Sequence, residues 1–528
     1  MTCSDLSGAE VSGREPFALH ASIPDGSDPR LLASDLYQDP PAPESKERAH
    51  GTMGTATSPL LAFAVRRRDP ELVGPATPTP QDTKRLSDID DQGTLRGHVS
   101  FALVYRGRVP EDGDVAQGDP VSVIRRALGE ALVHYYPLAG RLREVEGRKL
   151  VVDCTGEGLL FVEADADAYP TTKACCKSLG GTNHWGGSSP CSPPPPSAPE
   201  RGAGLRPPFP CMDQLLFDVE GSSGILDCPL VLIQVTRLLC GGLVLTLRLN
   251  HTICDAIGIA QFMNAVAELA RGLPAPTVAP AWSRELLEAR SPPIPSFPHR
   301  EFDVLPPNGD GPPPPPPADD MVMRSFTFSA AHVAAIKKHL PPLLRDTATS
   351  YEALTAFLWR ARVTALEIAP GEDVQLVIIA NFRGFPELSL PDGYYGNACV
   401  PANARATAAA LLDGSIGDAV ALVRQAKAAV TAEYVRSTLD LLVLRGRPCL
   451  AVQNNMFVVS DNRHAGFIHV DFGWGEPVYG GPADTIFALG FLVAGKDRYG
   501  KDAAVVPIVL PRPAMERFAA EVGKLCKA

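Results

Sequence analysis

Residues 273–320 hold the densest proline in the chain, including six consecutive prolines at 312–317. Proline fixes φ and has no backbone N–H, so neither a helix nor a central strand continues through such a stretch. Polyproline is extended and semi-rigid. The segment therefore reads as a crossover linker, and the chain must fold as one body on each side of it.

Both flanking halves mix helix and strand periodicity. Before the crossover, Val121, Ile124, Leu128, Leu132 and Val133 recur at helix spacing over 121–134, and Pro137 closes that helix. Lys149–Cys154 and Leu159–Glu163 read as strands. Leu230–Leu239 and Leu243–Leu249 are β-rich runs around Cys240-Gly241-Gly242, a hairpin signal. Ile257, Ile259, Phe262, Met263, Val266 and Leu269 then mark a helix that stops at Arg271-Gly272. After the crossover, Ser329–His339 and Ser350–Thr364 predict helices, and Val374–Ile379 predicts a strand. An Ala-rich helix is expected over 406–435, with strands at Met456–Val459, Phe467–Val470 and Val505–Leu510. The fold class is α/β with mixed sheets, as two αβ lobes of similar size. The expected layout is an N-terminal domain at 53–272, the linker at 273–320 and a C-terminal domain at 321–528.

Two further stretches show no periodicity. Residues 1–52 are polar and read as a disordered extension, with Met53 a second possible start. Residues 170–208 carry Cys-Cys, Gly-Gly and Cys-Ser-Pro-Pro-Pro-Pro clusters and read as a disordered insertion. The net charge of −11 comes without a long basic run, which argues against nucleic acid and anionic membranes. No uncharged apolar run reaches the roughly 18 residues of a membrane span. Twelve cysteines without a Cys-x-x-Cys pair read as reduced thiols, hence a cytoplasmic chain with no disulfide or zinc framework. No bound metal is expected, and His464 and His469 lack a third ligand.

The chemistry concentrates at two places. His251 follows the strand Leu243–Leu249, and Asp255 stands four residues on, where a helix begins. A histidine at a strand end can project into a cleft, and imidazole can take a proton from an alcohol at neutral pH. The Asp255 carboxylate can pair with that ring or turn away and pin the loop through an arginine. The second place is Asp471-Phe472-Gly473-Trp474-Gly475, whose two glycines imply a tight backbone path. Its first three letters match a kinase motif, but no His-Arg-Asp loop or Gly-rich nucleotide loop accompanies it. The run reads as a structural piece at a domain seam.

These segments, in order and well separated, resemble the signatures of the plant BAHD acyl-CoA-dependent acyltransferases. Tyr136-Pro137-Leu138-Ala139-Gly140-Arg141, Asn381-Phe382-Arg383 and Tyr394-Tyr395-Gly396-Asn397 support the match. Leu86–Gln92, Phe209-Pro210-Cys211 and Val478–Pro482 resemble most the benzyl alcohol O-benzoyltransferase-like and taxane-acyltransferase-like branch. The resemblance implies two chloramphenicol-acetyltransferase-like domains with a channel between them. It implies a cytoplasmic monomer that uses acyl-CoA as co-substrate and a small alcohol as acceptor, with no permanently bound cofactor. It implies His251 as general base without an acyl-enzyme. Asp255 and Asp471 are the other residues of the catalytic motifs, Asp255 bracing the loop against an arginine, for which Arg383 is the candidate. Phe472, Gly473, Trp474, Gly475, Asn381 and Arg383 are structural motif residues.

Three departures stand beside the match. The 171–210 insertion has no recognised counterpart, and Gly384-Phe385 replaces a second arginine after Arg383. The Gly-rich stretch between Ala483 and Lys496 is short, and losing a strand there would damage the acceptor pocket. An impaired paralogue that binds acyl-CoA or a small hydrophobic ligand is the alternative function.

Overall fold

The computed structural model describes residues 63–107, 118–168, 206–209, 212–219, 222, 224–303, 320–450 and 455–525. The expected extension at 1–52, most of the insertion at 170–208 and the six prolines at 312–317 lie outside these residues.

In the N-terminal half the strands are β1 (Phe63–Arg67), β2 (Glu71–Val73), β3 (Thr83–Arg85), β4 (His98–Tyr105), β5 (Arg141–Val145), β6 (Lys149–Asp153), β7 (Leu159–Ala168), β8 (Val231–Leu238) and β9 (Leu243–Asn250). The C-terminal half adds β10 (Met321–Ser329), β11 (Asp373–Asn381), β12 (Cys399–Thr407), β13 (Met456–Asp461), β14 (Tyr479–Pro482), β15 (Leu489–Lys496) and β16 (Asp502–Pro511). A seven-stranded sheet runs β1-β7-β8-β9-β4-β14, with β2 also on β7. A six-stranded sheet runs β10-β16-β15-β13-β11-β12, and β3-β6-β5 form a small third sheet. Both large sheets are mixed: β7–β8, β11–β13 and β13–β15 are parallel, their other pairs antiparallel. β14 comes from beyond the crossover yet pairs with β4 of the N-terminal sheet, Gly481 opposite Ala102. The two halves are therefore stitched through a shared sheet as well as through the crossover.

Among the described residues, two long helices pack on one face of the N-terminal sheet. In α1 (Pro120–His134) Asp119 accepts the Ser122 N–H at 3.0 Å, and Pro120 occupies the first turn, where its missing N–H costs nothing. Its buried stripe Val121, Ile124, Leu128 and Leu132 meets that of α2 (Ala256–Ala270), which includes Ile259, Phe262, Met263 and Val266. Gly258 sits in the first turn of α2, and a Cβ there would lie 2.0 Å from the Tyr395 carbonyl oxygen. That contact lets the Tyr394–Asn397 segment press against the helix start.

Two expected elements differ. The Ala-rich run is not one helix: β12 takes its first residues, because Ala402, Ala404 and Ala406 alternate with period two. Three helices follow, Ala408–Asp413, Ile416–Ala429 and Ala432–Leu444. Ser415 and Thr431 cap the second and third, and the first ends at Gly414. Phe467–Val470 is a 3₁₀ turn, Phe467–His469, entered through Gly466 at φ 100°. Its apolar content serves packing, with Phe467 buried and stacked on Phe101 at 4.9 Å between ring centres. Within the shortened stretch between 483 and 496, Leu489–Lys496 forms β15. Among the described residues no helix is long and apolar enough to cross a membrane, and no His, Cys, Asp and Glu cluster could hold a metal.

Candidate active site

β9 ends at Asn250, and the chain turns at once through 251–254 into α2. That turn carries His251, and partners on several elements hold it. The His251 N–H donates to the Gly97 carbonyl at 2.8 Å, fixing the turn to the entry of β4. The His251 carbonyl accepts from Asn397 Nδ2 at 2.9 Å. The Ile253 carbonyl accepts from Arg284 Nη2 at 2.7 Å. Asp255 ends the turn as the N-cap of α2, accepting the Gly258 N–H at 3.0 Å.

The Asp255 carboxylate faces away from imidazole chemistry. Arg383 donates Nη1 to Oδ2 and Nη2 to Oδ1, each at 2.8 Å, and the Ala398 N–H adds a third contact at 3.1 Å. Burial alone would raise this carboxyl, but the Arg383 charge and these hydrogen bonds hold it below the ordinary range. Asn381, at the end of β11, accepts the Arg383 N–H through Oδ1 at 3.0 Å and so sets the direction of that arginine. Arg383 also donates to the Tyr394 and Gly396 carbonyls.

A second buried pair lies behind the first. Asp90 accepts from Arg284 Nη1 at 2.6 Å, from Asn397 N and Nδ2 at 3.0 and 2.8 Å, and from the Ser87 hydroxyl at 2.7 Å. Arg284 is 1% exposed, and the rings of Trp282, Tyr394 and Tyr395 surround its guanidinium at 4.5–5.3 Å. Burial opposes its charge, and Asp90 more than restores it. Arg284 belongs to the crossover, so this segment is part of the site's support as well as a link. None of Asp90, Arg284 and Asn397 stood out chemically in the sequence. Asp90 and Asn397 fell inside matched motif wording without a role, and nothing around Arg284 signalled burial.

His251 itself is half-buried and, with residues of both lobes, lines a cavity of about 2320 Å³. Phe101 and Ile257 face it from one half, and Ile378, Val400 and Phe491 from the other. Burial lowers the imidazole pKa below 6.5. The His251 carbonyl and the Asp255 charge oppose that shift without reversing it. The ring is thus largely neutral at pH 7 and able to accept a proton.

Asp471 to Gly475 lie elsewhere. Asp471 Oδ1 accepts the Gly473 and Gly475 N–H groups at 2.8 Å each, closing the loop on itself. Phe472 is buried edge-to-face on Tyr105 and stacked with Trp474 at 5.4 Å. The Tyr105 hydroxyl donates to the Val470 carbonyl, and Arg271 donates to the Asp471 carbonyl. Tyr105 is the far end of β4 from His98, about 24 Å at the strand rise. Arg271 is likewise about 24 Å along α2 from Asp255. Two independent rulers therefore put the loop at the opposite end of the lobe from His251.

The Transferase family model matches residues 63–171 and 203–525. Benzyl alcohol O-benzoyltransferase of Petunia hybrida is 45% identical over 480 residues, covering 90% of this chain and 96% of that one. Alcohol acyl transferase 1 allele GSa of Malus domestica is 44% identical over 468 residues, covering 88% and 95%. The crystal structure of vinorine synthase superposes with a TM-score of 0.59 at 20% identity, covering 88% and 98%. That of F. graminearum TRI101, complexed with coenzyme A and deoxynivalenol, gives 0.63 at 17%, covering 84% and 98%. The two-lobed mixed fold is common to all of these structures. The chain belongs to the Transferase (BAHD) family and is an acyltransferase.

Proposed function

We propose that this acyltransferase moves an acyl group, of benzoyl or acetyl type, from a coenzyme A thioester to a small alcohol, with His251 as general base. The carrying observation is the place of the His251 ring on the wall of a cavity that both lobes line, where burial holds its pKa below the ordinary imidazole value. The names of the relatives, which are alcohol and benzyl alcohol acyltransferases, support the substrate classes. The fold neighbour crystallised with coenzyme A supports the donor.

The chemistry follows from the residues. His251 takes the hydroxyl proton as the oxygen attacks the thioester carbonyl. A C–O bond forms and the carbonyl pair moves to oxygen. The tetrahedral species collapses, the C–S bond breaks, and the protonated ring returns its proton to the leaving thiolate. No side chain is acylated in this sequence. General-base help is worth roughly 10²–10⁴-fold, and the clamped turn adds by holding the ring where both substrates meet. Asp255, Asn381 and Arg383 position the turn. Asp471, Phe472, Gly473, Trp474 and Gly475 shape the lobe at a distance.

The test is a thiol-release screen of benzoyl- and acetyl-coenzyme A against aromatic and aliphatic alcohols, with the ester confirmed by mass. Ester formation lost in His251→Ala supports the reading. Full turnover in that variant removes His251 as the base, and binding of acyl-coenzyme A without turnover by the unaltered enzyme favours the impaired-paralogue alternative.

A further inference from the structure

The turn that carries His251 has a neighbour the reaction does not use. His98 pairs with Asn250 across the β4–β9 ladder, and Ser100 pairs with Arg248. Alternation puts His98, Ser100, Arg248 and Asn250 on one face of the sheet. His98, Ser100 and Arg248 all line the cavity that holds His251. His98 Nε2 is buried without a hydrogen-bond partner among the described residues, and so is Arg248 Nε. Arg248 is fixed in place, because its Nη2 donates to Asp218 at 2.9 Å and to the Ser222 hydroxyl at 3.0 Å. His98 and the fixed Arg248 thus lie on neighbouring strands of a cavity wall, each with a buried nitrogen whose hydrogen-bonding capacity is unmet, an arrangement that is costly unless something fills it.

We propose, building on the acyl-transfer reading, that His98 and Arg248 form a polar subsite that receives a second, uncharged oxygen of the substrate, a hydroxyl, ether or carbonyl away from the reacting centre. Asp218 already balances the Arg248 charge, which argues against a carboxylate or phosphate here. Burial and the Arg248 cation push His98 down to about 4, so it stays neutral in the working range and offers one N–H and one lone pair. The oxygen can belong to the acceptor alcohol or to the acyl group, since both must occupy this cavity.

Matched pairs separate the two sources. One arm compares benzyl alcohol with hydroxybenzyl and methoxybenzyl alcohols at a fixed acyl donor. The other compares benzoyl- with hydroxybenzoyl-coenzyme A at a fixed alcohol. The unaltered enzyme should prefer the oxygenated member of one pair. His98→Phe should cut that kcat/KM preference roughly tenfold, as a lost hydrogen bond to a buried partner does. His98→Gln, which keeps a donor, should retain most of it. The pair that responds identifies the source. An unchanged preference, or an equal loss with every member of both pairs, overturns the subsite. Calorimetric titration of the same pairs into His251→Ala reads binding without turnover. Preferential binding of an oxygenated ligand there, lost on adding His98→Phe, supports the subsite even if no acyl transfer is found. Acyl transfer without such a preference in either readout sinks the subsite and leaves the function standing.

Discussion

Replacing Arg383 with methionine tests the claim that the His251 turn is held from outside. The side chains are 16% exposed at Arg383 and 10% at Asp255, and the pair is bidentate at 2.8 Å twice over. An exposed ion pair contributes about 0–1 kcal/mol, but stranding one charge of a buried pair costs about 3–5 kcal/mol. Asp255 keeps the Gly258 and Ala398 amides in the variant, so the lower end, about 3 kcal/mol, is expected. That is a large share of a typical 5–15 kcal/mol, and urea unfolding of the two proteins would read it directly. The loss should also depend on pH. With Arg383, the folded Asp255 pKa lies below its unfolded value. Its stabilisation is therefore complete above the unfolded pKa and fades as pH falls through the folded one. Without Arg383, burial is less opposed and the folded pKa rises. The gap between the two proteins should then be widest near neutrality and narrow towards pH 4. A double-mutant cycle with Asp255→Asn should return a coupling of at least about 1 kcal/mol. A deficit below about 1 kcal/mol, or one flat with pH, would refute the clamp.

His251→Ala should lower kcat by roughly 10²–10⁴-fold while acyl-coenzyme A still protects the fold against heat. The kcat/KM profile of the unaltered enzyme should have its acid limb below 6.5, because burial depresses the imidazole; a limb above 6.5 contradicts that cause. Asp471→Ala should lose about 0.5–1.5 kcal/mol of stability for each of two loop hydrogen bonds, at the lower end for the exposed Gly475 amide, and keep the pH profile of the unaltered enzyme. Gly258→Ala should destabilise, although Gly to Ala inside a helix ordinarily stabilises by up to about 1 kcal/mol. The Tyr395 carbonyl occupies the space its methyl needs, and a thermal melt above that of the unaltered enzyme would show the contact to be soft.

What the sequence makes legible depends on the range of the interaction. Strands and helices with one buried face announce themselves, which is why α1, α2, β8 and β9 lie close to where periodicity puts them. Asp255 stands before a helix with Gly258 three residues on, so a capping role is local and readable. Its partner Arg383 lies 128 positions away, and only the motif resemblance pointed there. Arg284 shows the limit. It sits among prolines where an arginine looks solvated, yet it is only 1% exposed, and its partner Asp90 is 194 positions distant. Such pairing is fixed by the two lobes closing on the crossover, and no local pattern encodes it. The split of the Ala-rich run was readable in principle: Ser415 and Thr431 are capping residues inside a stretch that composition alone joins into one helix.

The separation of Asp471 from His251 bears on how the two motifs act together. The two elements that link them are each about 24 Å long, so any shared effect must pass through β4 and α2, which run from one site to the other. Both are rigid elements with buried faces, and the loop anchors the far end of each, Tyr105 on β4 and Arg271 on α2. Loosening the loop would let the far ends splay before the near ends move. Stability should therefore respond to changes in Asp471–Gly475 more strongly than the position of His251 does. The reverse order, with turnover collapsing in a variant whose melting temperature is unchanged, would mean that the loop communicates with the turn by some other route.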